Sequence, residues 1–276
     1  MIIDFHTHCF PDALAPRAMA VLMQNASSLS LRPNTDGTAD GLLSRMKASG
    51  IDRAVVCNIA TNARQMCKVN DFALETLVSR PNLIPLGSLH PQGEHLEDEL
   101  TRLANAGIRG IKIHPDYTAT EADSPDFDMI FALCEAKNVF VITHAGYDPV
   151  SPDHLHCTPA MVRRIMDKFP RLKLVVAHGG GVSCEEDTLA LLCGENVYLD
   201  TSLLTLRPDG QDIMRHIFLS HRPDRLLFAT DTPWSDTAGE VAAIRRMSLP
   251  ASLESKIFSE NAAALLASVG YKGYGV

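Results

Sequence analysis

Apolar runs rich in valine, isoleucine and leucine recur along the chain, with helix-period segments between them. A short continuous apolar run bounded by turn residues marks a strand buried on both faces, whereas a 3.6-residue period marks an amphipathic helix. The pattern predicts strands over Met1–His8, Asp52–Asn58, Leu83–Leu89, Arg109–His114, Asn138–His144, Leu172–His178, Val197–Thr201 and Arg225–Asp231. Helices are predicted from Thr38, an N-cap type, to Ala48 with Gly50 as the stop, and over Ala63–Val78. Further helices are expected over Glu94–Asn105, closed by Gly107, over Pro125–Lys137, from Thr158 with Pro159 in the first turn, over Glu185–Cys193 and over Asp209–Ser220. Thr237–Met247, Leu253–Phe258 and Asn261–Val269 read as closing helices.

Strands buried on both faces and alternating with helices imply parallel pairing. Eight such units in about 250 residues are the pattern of a (β/α)8 TIM barrel, here one domain over residues 1–276. A doubly wound open sheet is the rival with the same alternation. The 50 residues from His8 to Asn58 exceed every later interval between strand ends. Residues 9–37 are therefore expected to be a long first β-to-α loop and a candidate lid.

The carboxyl ends of the predicted strands carry an uneven share of chemistry. His6 and His8 end the first strand, Lys112 and His114 the fourth, His144 the fifth, His178 the sixth and Asp231 the eighth. Alternation puts Asp4, His6 and His8 on one face of their strand, so two imidazoles converge. In a barrel all these ends open on one rim, where active sites are built. Two imidazoles alone make no metal site, which needs three or four ligands. The remaining strand ends supply them.

These residues, with the phrases Gly110-Ile-Lys-Ile-His-Pro115, Ala177-His-Gly-Gly180, Ala229-Thr-Asp-Thr-Pro-Trp234 and Glu260-Asn-Ala-Ala263, resemble the amidohydrolase superfamily. The phrases look like its amidohydrolase-2 branch, which also holds decarboxylases of the aminocarboxymuconate semialdehyde type. The resemblance runs from residue 1 to about 268. It implies one divalent metal, usually zinc, on His6, His8, His144 and Asp231, with His178 beside it as an acid, a base or an electrostatic partner. Zinc with such ligands and an open position lowers the pKa of bound water to about 7. Asp231 is then placed to take a proton from that water and return it to the leaving group.

The expected activity is metal-dependent hydrolysis of a small ester, lactone or amide. The alternatives are a non-oxidative decarboxylase of a small carboxylic acid and a metal-containing barrel that only binds. Lys112 either bridges a second metal or pairs with a carboxylate such as Asp4. His114, His156 and Trp234 are candidates for contact with substrate or a second metal, as are the loop residues His154 and Cys157. Asp200, Thr201 and Ser202 either meet substrate or form an ordinary turn. The Gly179–Gly181 run lacks the spacing of a phosphate loop and is expected to let backbone pass close to His178.

Charge and composition narrow the partners. A net charge of −8, with no lysine or arginine cluster, argues against nucleic acid. No apolar run reaches the roughly 18 residues of a membrane helix, and the start lacks signal-peptide character. The seven cysteines include no C-x-x-C pair, which fits a reducing, cytoplasmic setting. The expected partner is a small-molecule substrate, and a homodimer is compatible with the sequence.

Overall fold

A computed structural model describes residues 1–29 and 31–271. Its strands are β1 (Ile3–Thr7), β2 (Arg53–Val56), β3 (Leu83–Pro85), β4 (Gly87–Ser88), β5 (Gly110–Ile113), β6 (Phe140–Thr143), β7 (Leu174–Val176), β8 (Tyr198–Asp200) and β9 (Leu226–Leu227). Pairing is parallel throughout, in the orders β1-β2-β3 and β4 to β9. The predicted third strand is thus two pieces hinged at Leu86. Its amide still donates to Val56 O at 2.9 Å, so the two pieces occupy one barrel position.

The ring closes between the last strand and the first. Phe5 N donates to Phe228 O, Asp231 N to His6 O and His8 N to Thr232 O, at 2.7–2.8 Å. The fold is the expected (β/α)8 barrel, and the open-sheet rival is excluded by this closure. The β1–β2 register shifts between Asp4 and Thr7. That irregularity lets Phe5 join an apolar cluster with Val55, Leu86, Phe140 and Ile142 while His6 reaches the polar mouth. The helix Asn261–Ser268 adds Ala262, Leu265 and Leu266 to the same cluster.

Local signals hold where they were strongest. Thr38 Oγ1 accepts from Gly41 N at 2.9 Å, capping α2 (Ala39–Ser49), and Gly50 ends that helix at φ 71°. Thr158 caps the helix Pro159–Lys168 in the same way. The long first connection is not a bare loop, because it contains helix α1 (Ala15–Asn25). Its following segment is stitched across the barrel top. Asn34 N donates to Pro233 O, and the Asn34 amide reaches Ser235 O and Thr237 Oγ1. Ser30, inside the expected lid, lies outside the described residues. Among the described residues no helix is long and apolar enough to cross a membrane.

Candidate active site

His6 is fixed first. It is 1 % exposed, and burial, reinforced by the Lys112 charge, pulls its pKa well below that of an ordinary histidine. It is therefore neutral, with one ring proton. Nδ1 lies 2.8 Å from Asp200 Oδ2, an atom that can only accept, so the proton sits there. Nε2 is left as a lone pair facing the mouth. His8 is held alike, with Nδ1 2.9 Å from the Cys57 carbonyl and Nε2 turned inward.

Both inward nitrogens meet Asp231. Its Oδ1 lies 3.0 Å from His8 Nε2 and 3.5 Å from His6 Nε2. Burial pushes the Asp231 carboxyl up, but the positive charge around it, that of Lys112 included, outweighs this and holds it below the usual range, so it is ionised. Its left-handed backbone, φ 63°, turns the chain out of the β-type path toward β1. These three ligand atoms lie within 4.8 Å of one another and make a site for a cation. Two nitrogens and one carboxylate oxygen are a donor set that divalent transition metals and zinc accept.

His144 stands one imidazole further along. Ser202 Oγ donates to Asp200 Oδ1 at 2.5 Å, so it must accept from His178 Nδ1 at 2.7 Å. His178 Nε2 then accepts from His144 Nδ1 at 3.1 Å. This relay turns His144 Nε2 toward Asp116 and Asp148, at 3.9 and 3.8 Å. His144 therefore groups with His114 and Asp116 rather than with the His6, His8 and Asp231 trio. The centroids of His8, His6, His178, His144 and His114 follow one another at 5.1, 5.2, 4.9 and 4.2 Å, a continuous arc of imidazoles.

Asp200 organises this arc. Besides the His6 ring and the Ser202 hydroxyl, it accepts the amides of His178 and Ser202 at 2.9 and 3.1 Å. Of the two expectations for Asp200, neither substrate contact nor a plain turn describes it. Asp4, proposed as a partner for Lys112, is instead tied to Thr230 through its amide at 3.0 Å and its hydroxyl at 2.7 Å. Burial pushes the Asp4 carboxyl up to about 8. Lys112, 1 % exposed, has Nζ 3.2 Å from His6 Nε2 and no ion-pair partner among the described residues.

The glycine run behaves as expected. Gly179 lies at φ 71°, a left-handed conformation that favours glycine and lets His178 enter its tight turn. Gly146 does the same beside that run, where a Cβ would lie 2.1 Å from Val182 N. The remaining candidates divide. His156 Nδ1 lies 3.2 Å from Asp116 Oδ1, behind the mouth, and His154 is exposed with Glu121 beside it. Cys157 is fully buried, its thiol pushed up to about 12 by burial, and it packs in the core. Half-buried Trp234 donates its amide to Asp231 O at 2.8 Å and so braces that turn.

Asp116 and Asp148 were not singled out from sequence. The signal was present as His-Pro-Asp after β5 and His-Ala-Gly-Tyr-Asp after β6, an acid two or four residues past a strand-end histidine.

A family model described as amidohydrolase, of the amidohydrolase-2 type, matches residues 3–267. The chain belongs to the amidohydrolase family. No curated protein sequence matches it. Solved structures similar to this amidohydrolase include an uncharacterised TIM-barrel protein from Bordetella bronchiseptica. That likeness has 20% identity and a TM-score of 0.77, over 98% of this chain and 99% of that one. A 2,6-dihydroxybenzoate decarboxylase from Rhizobium is 17% identical with a TM-score of 0.72, over 98% and 99%. A probable 2-pyrone-4,6-dicarboxylic acid hydrolase from Acinetobacter baumannii is 15% identical with a TM-score of 0.66, over 96% and 99%. At these identities the likeness establishes the barrel and not the reaction.

Proposed function

We propose that this amidohydrolase is a metal-dependent, non-oxidative decarboxylase of a small carboxylic acid. The observation that carries the reading is Lys112, a fully buried ammonium with no carboxylate paired to it among the described residues. An unpaired buried charge is costly, and a cation on His6, His8 and Asp231 would add positive charge beside it. A substrate carboxylate neutralises both. The similar decarboxylase and the similar hydrolase are both named for carboxylic acids, which supports a carboxylate in this mouth.

His6, His8 and Asp231 would hold the divalent ion, with His144 beside them, and zinc suits that donor set. When bound, the ion supplies a Lewis acid at the substrate oxygens. Lys112 orients the carboxylate. As the carbon–carbon bond breaks, its electron pair stays on the substrate carbon, carbon dioxide leaves, and the carbon takes one proton that enters from water. Asp231 and His178 Nε2 are the groups that move a proton at the reacting atom, and Asp200 with Ser202 holds the His178 ring in the tautomer that allows it.

Hydrolysis is the second reading, favoured by the ionised Asp231 beside the cation-binding trio, where it can serve as a base to water. Incubation of the metal-loaded enzyme with hydroxybenzoates and small unsaturated acids should release carbon dioxide, and a chelator should abolish the release. Turnover of esters or lactones without carbon dioxide would replace the decarboxylase with the hydrolase.

A further inference from the structure

The segment after β8 carries no candidate metal ligand, yet it is held from two sides. Glu240 accepts the amides of Leu204 and Thr205 and the Thr205 hydroxyl at 2.7–3.0 Å. Arg207 takes the carbonyls. Its Nε donates to Leu203 O at 3.4 Å, and its Nη2 donates to Ser202 O and His178 O at 3.0 and 3.3 Å. Nη1 pairs with Glu185 Oε1 at 3.0 Å.

His178 and Ser202 are the two residues whose side chains meet at 2.7 Å, Nδ1 to Oγ, in the bond that fixes the His178 tautomer. One guanidinium nitrogen therefore ties the backbones of both members of that pair, across the turns that follow β7 and β8. The backbone needs such a tie. His178 and Leu203 lie in the left-handed region, at φ 61° and 67°, which is costly for a residue with a Cβ. Such conformations persist where the surroundings over-determine them. Arg207 donates to the carbonyl of each.

The same contacts keep Arg207 from acting on a substrate carboxylate itself. A guanidinium has five N–H donors, and four of those on Arg207 are engaged by Leu203, Ser202, His178 and Glu185. Glu185 balances its charge. Arg207 works through another residue.

We infer that Arg207 is a positioning residue that locks the turns of His178 and Ser202 together and so holds His178 Nε2 at the reacting centre. The inference rests on the proton-transfer role given to His178 above.

Steady-state kinetics and metal content of Arg207→Ala, His178→Gln and the double variant test it. Arg207→Ala should keep its metal and a KM within about threefold, while kcat falls about 10- to 100-fold, because a displaced ring misses the reacting atom and not the substrate. Added to His178→Gln, it should cost less than about threefold more, since a ring that is gone cannot be misplaced. If Arg207→Ala does not fold, Arg207→Lys carries the same expectation: it keeps a charge beside Glu185 but lacks the planar fork that reaches both carbonyls. The cycle is read on carbon dioxide release or, where esters or lactones turn over instead, on their hydrolysis, so loss of the decarboxylase reading does not decide the role of Arg207. Near-normal kcat in the folded Arg207 variant, a loss confined to KM, or an undiminished loss in the His178→Gln background overturns the inference and leaves His178 in place. Near-normal kcat in His178→Gln, or no turnover of either kind in the unaltered protein, overturns both.

Discussion

Asp200 and Asp231 stand at the ends of neighbouring strands, both buried, and differ in what their oxygens face. Asp200 is saturated by the His6 ring, the Ser202 hydroxyl and two amides, all within 3.1 Å. Asp231 Oδ1 instead looks at two imidazole nitrogens, His8 Nε2 at 3.0 Å and the His6 Nε2 lone pair at 3.5 Å. A carboxylate whose acceptors are filled by the fold belongs to the scaffold. One aimed at other acceptors waits for a cation. The same contrast separates Asp4, filled by Thr230, from Asp116, whose Oδ2 has nothing.

That contrast predicts opposite consequences for the two aspartates and their neighbours. Asp200→Ala strands four donors inside the barrel and should lower the unfolding free energy by about 3–5 kcal/mol in urea titration. A loss below about 1 kcal/mol would mean that Asp200 is not the scaffold residue its contacts describe. His178→Gln should keep the metal while kcat falls by about 10²–10⁴-fold, since proton transfer at Nε2 is lost. Near-normal kcat would remove His178 from the chemistry.

A smaller effect concerns Glu240, another carboxylate filled by the fold. It accepts the amides of Leu204 and Thr205 and the Thr205 hydroxyl, yet burial pushes its carboxyl from 4.5 up to about 7. A raised folded pKa means that the native state keeps a proton after the unfolded chain has released it. The associated stability is full below the ordinary glutamate range and is lost as pH rises toward 7, by no more than about 3 kcal/mol. Glu240→Gln should flatten that part of the stability profile. An unchanged slope in the variant would place the titration elsewhere.

The barrel and much of its mouth were legible in the sequence because strand ends are marked twice, by the end of an apolar run and by the polar residue that follows. His6, His8, His178 and Asp231 were found that way. Helix α1 was not, because neither end carries a side-chain cap: Leu14 precedes it and Ala26 follows. The break at Leu86 was hidden because its two halves share one apolar run. Asp116 and Asp148 escaped because they lie past the strands, where side-chain direction depends on turns such as the one Gly146 permits. The position of His144 was set by a relay of tautomers from Asp200, and no local pattern encodes a contact 34 residues away with His178.

Metal content in the unaltered protein and in Asp231→Ala tests the central claim most directly. About one equivalent of divalent metal per chain, falling toward zero in a variant that remains folded, is the result predicted for three ligand atoms that converge within 4.8 Å. Equal occupancy in both proteins would contradict it.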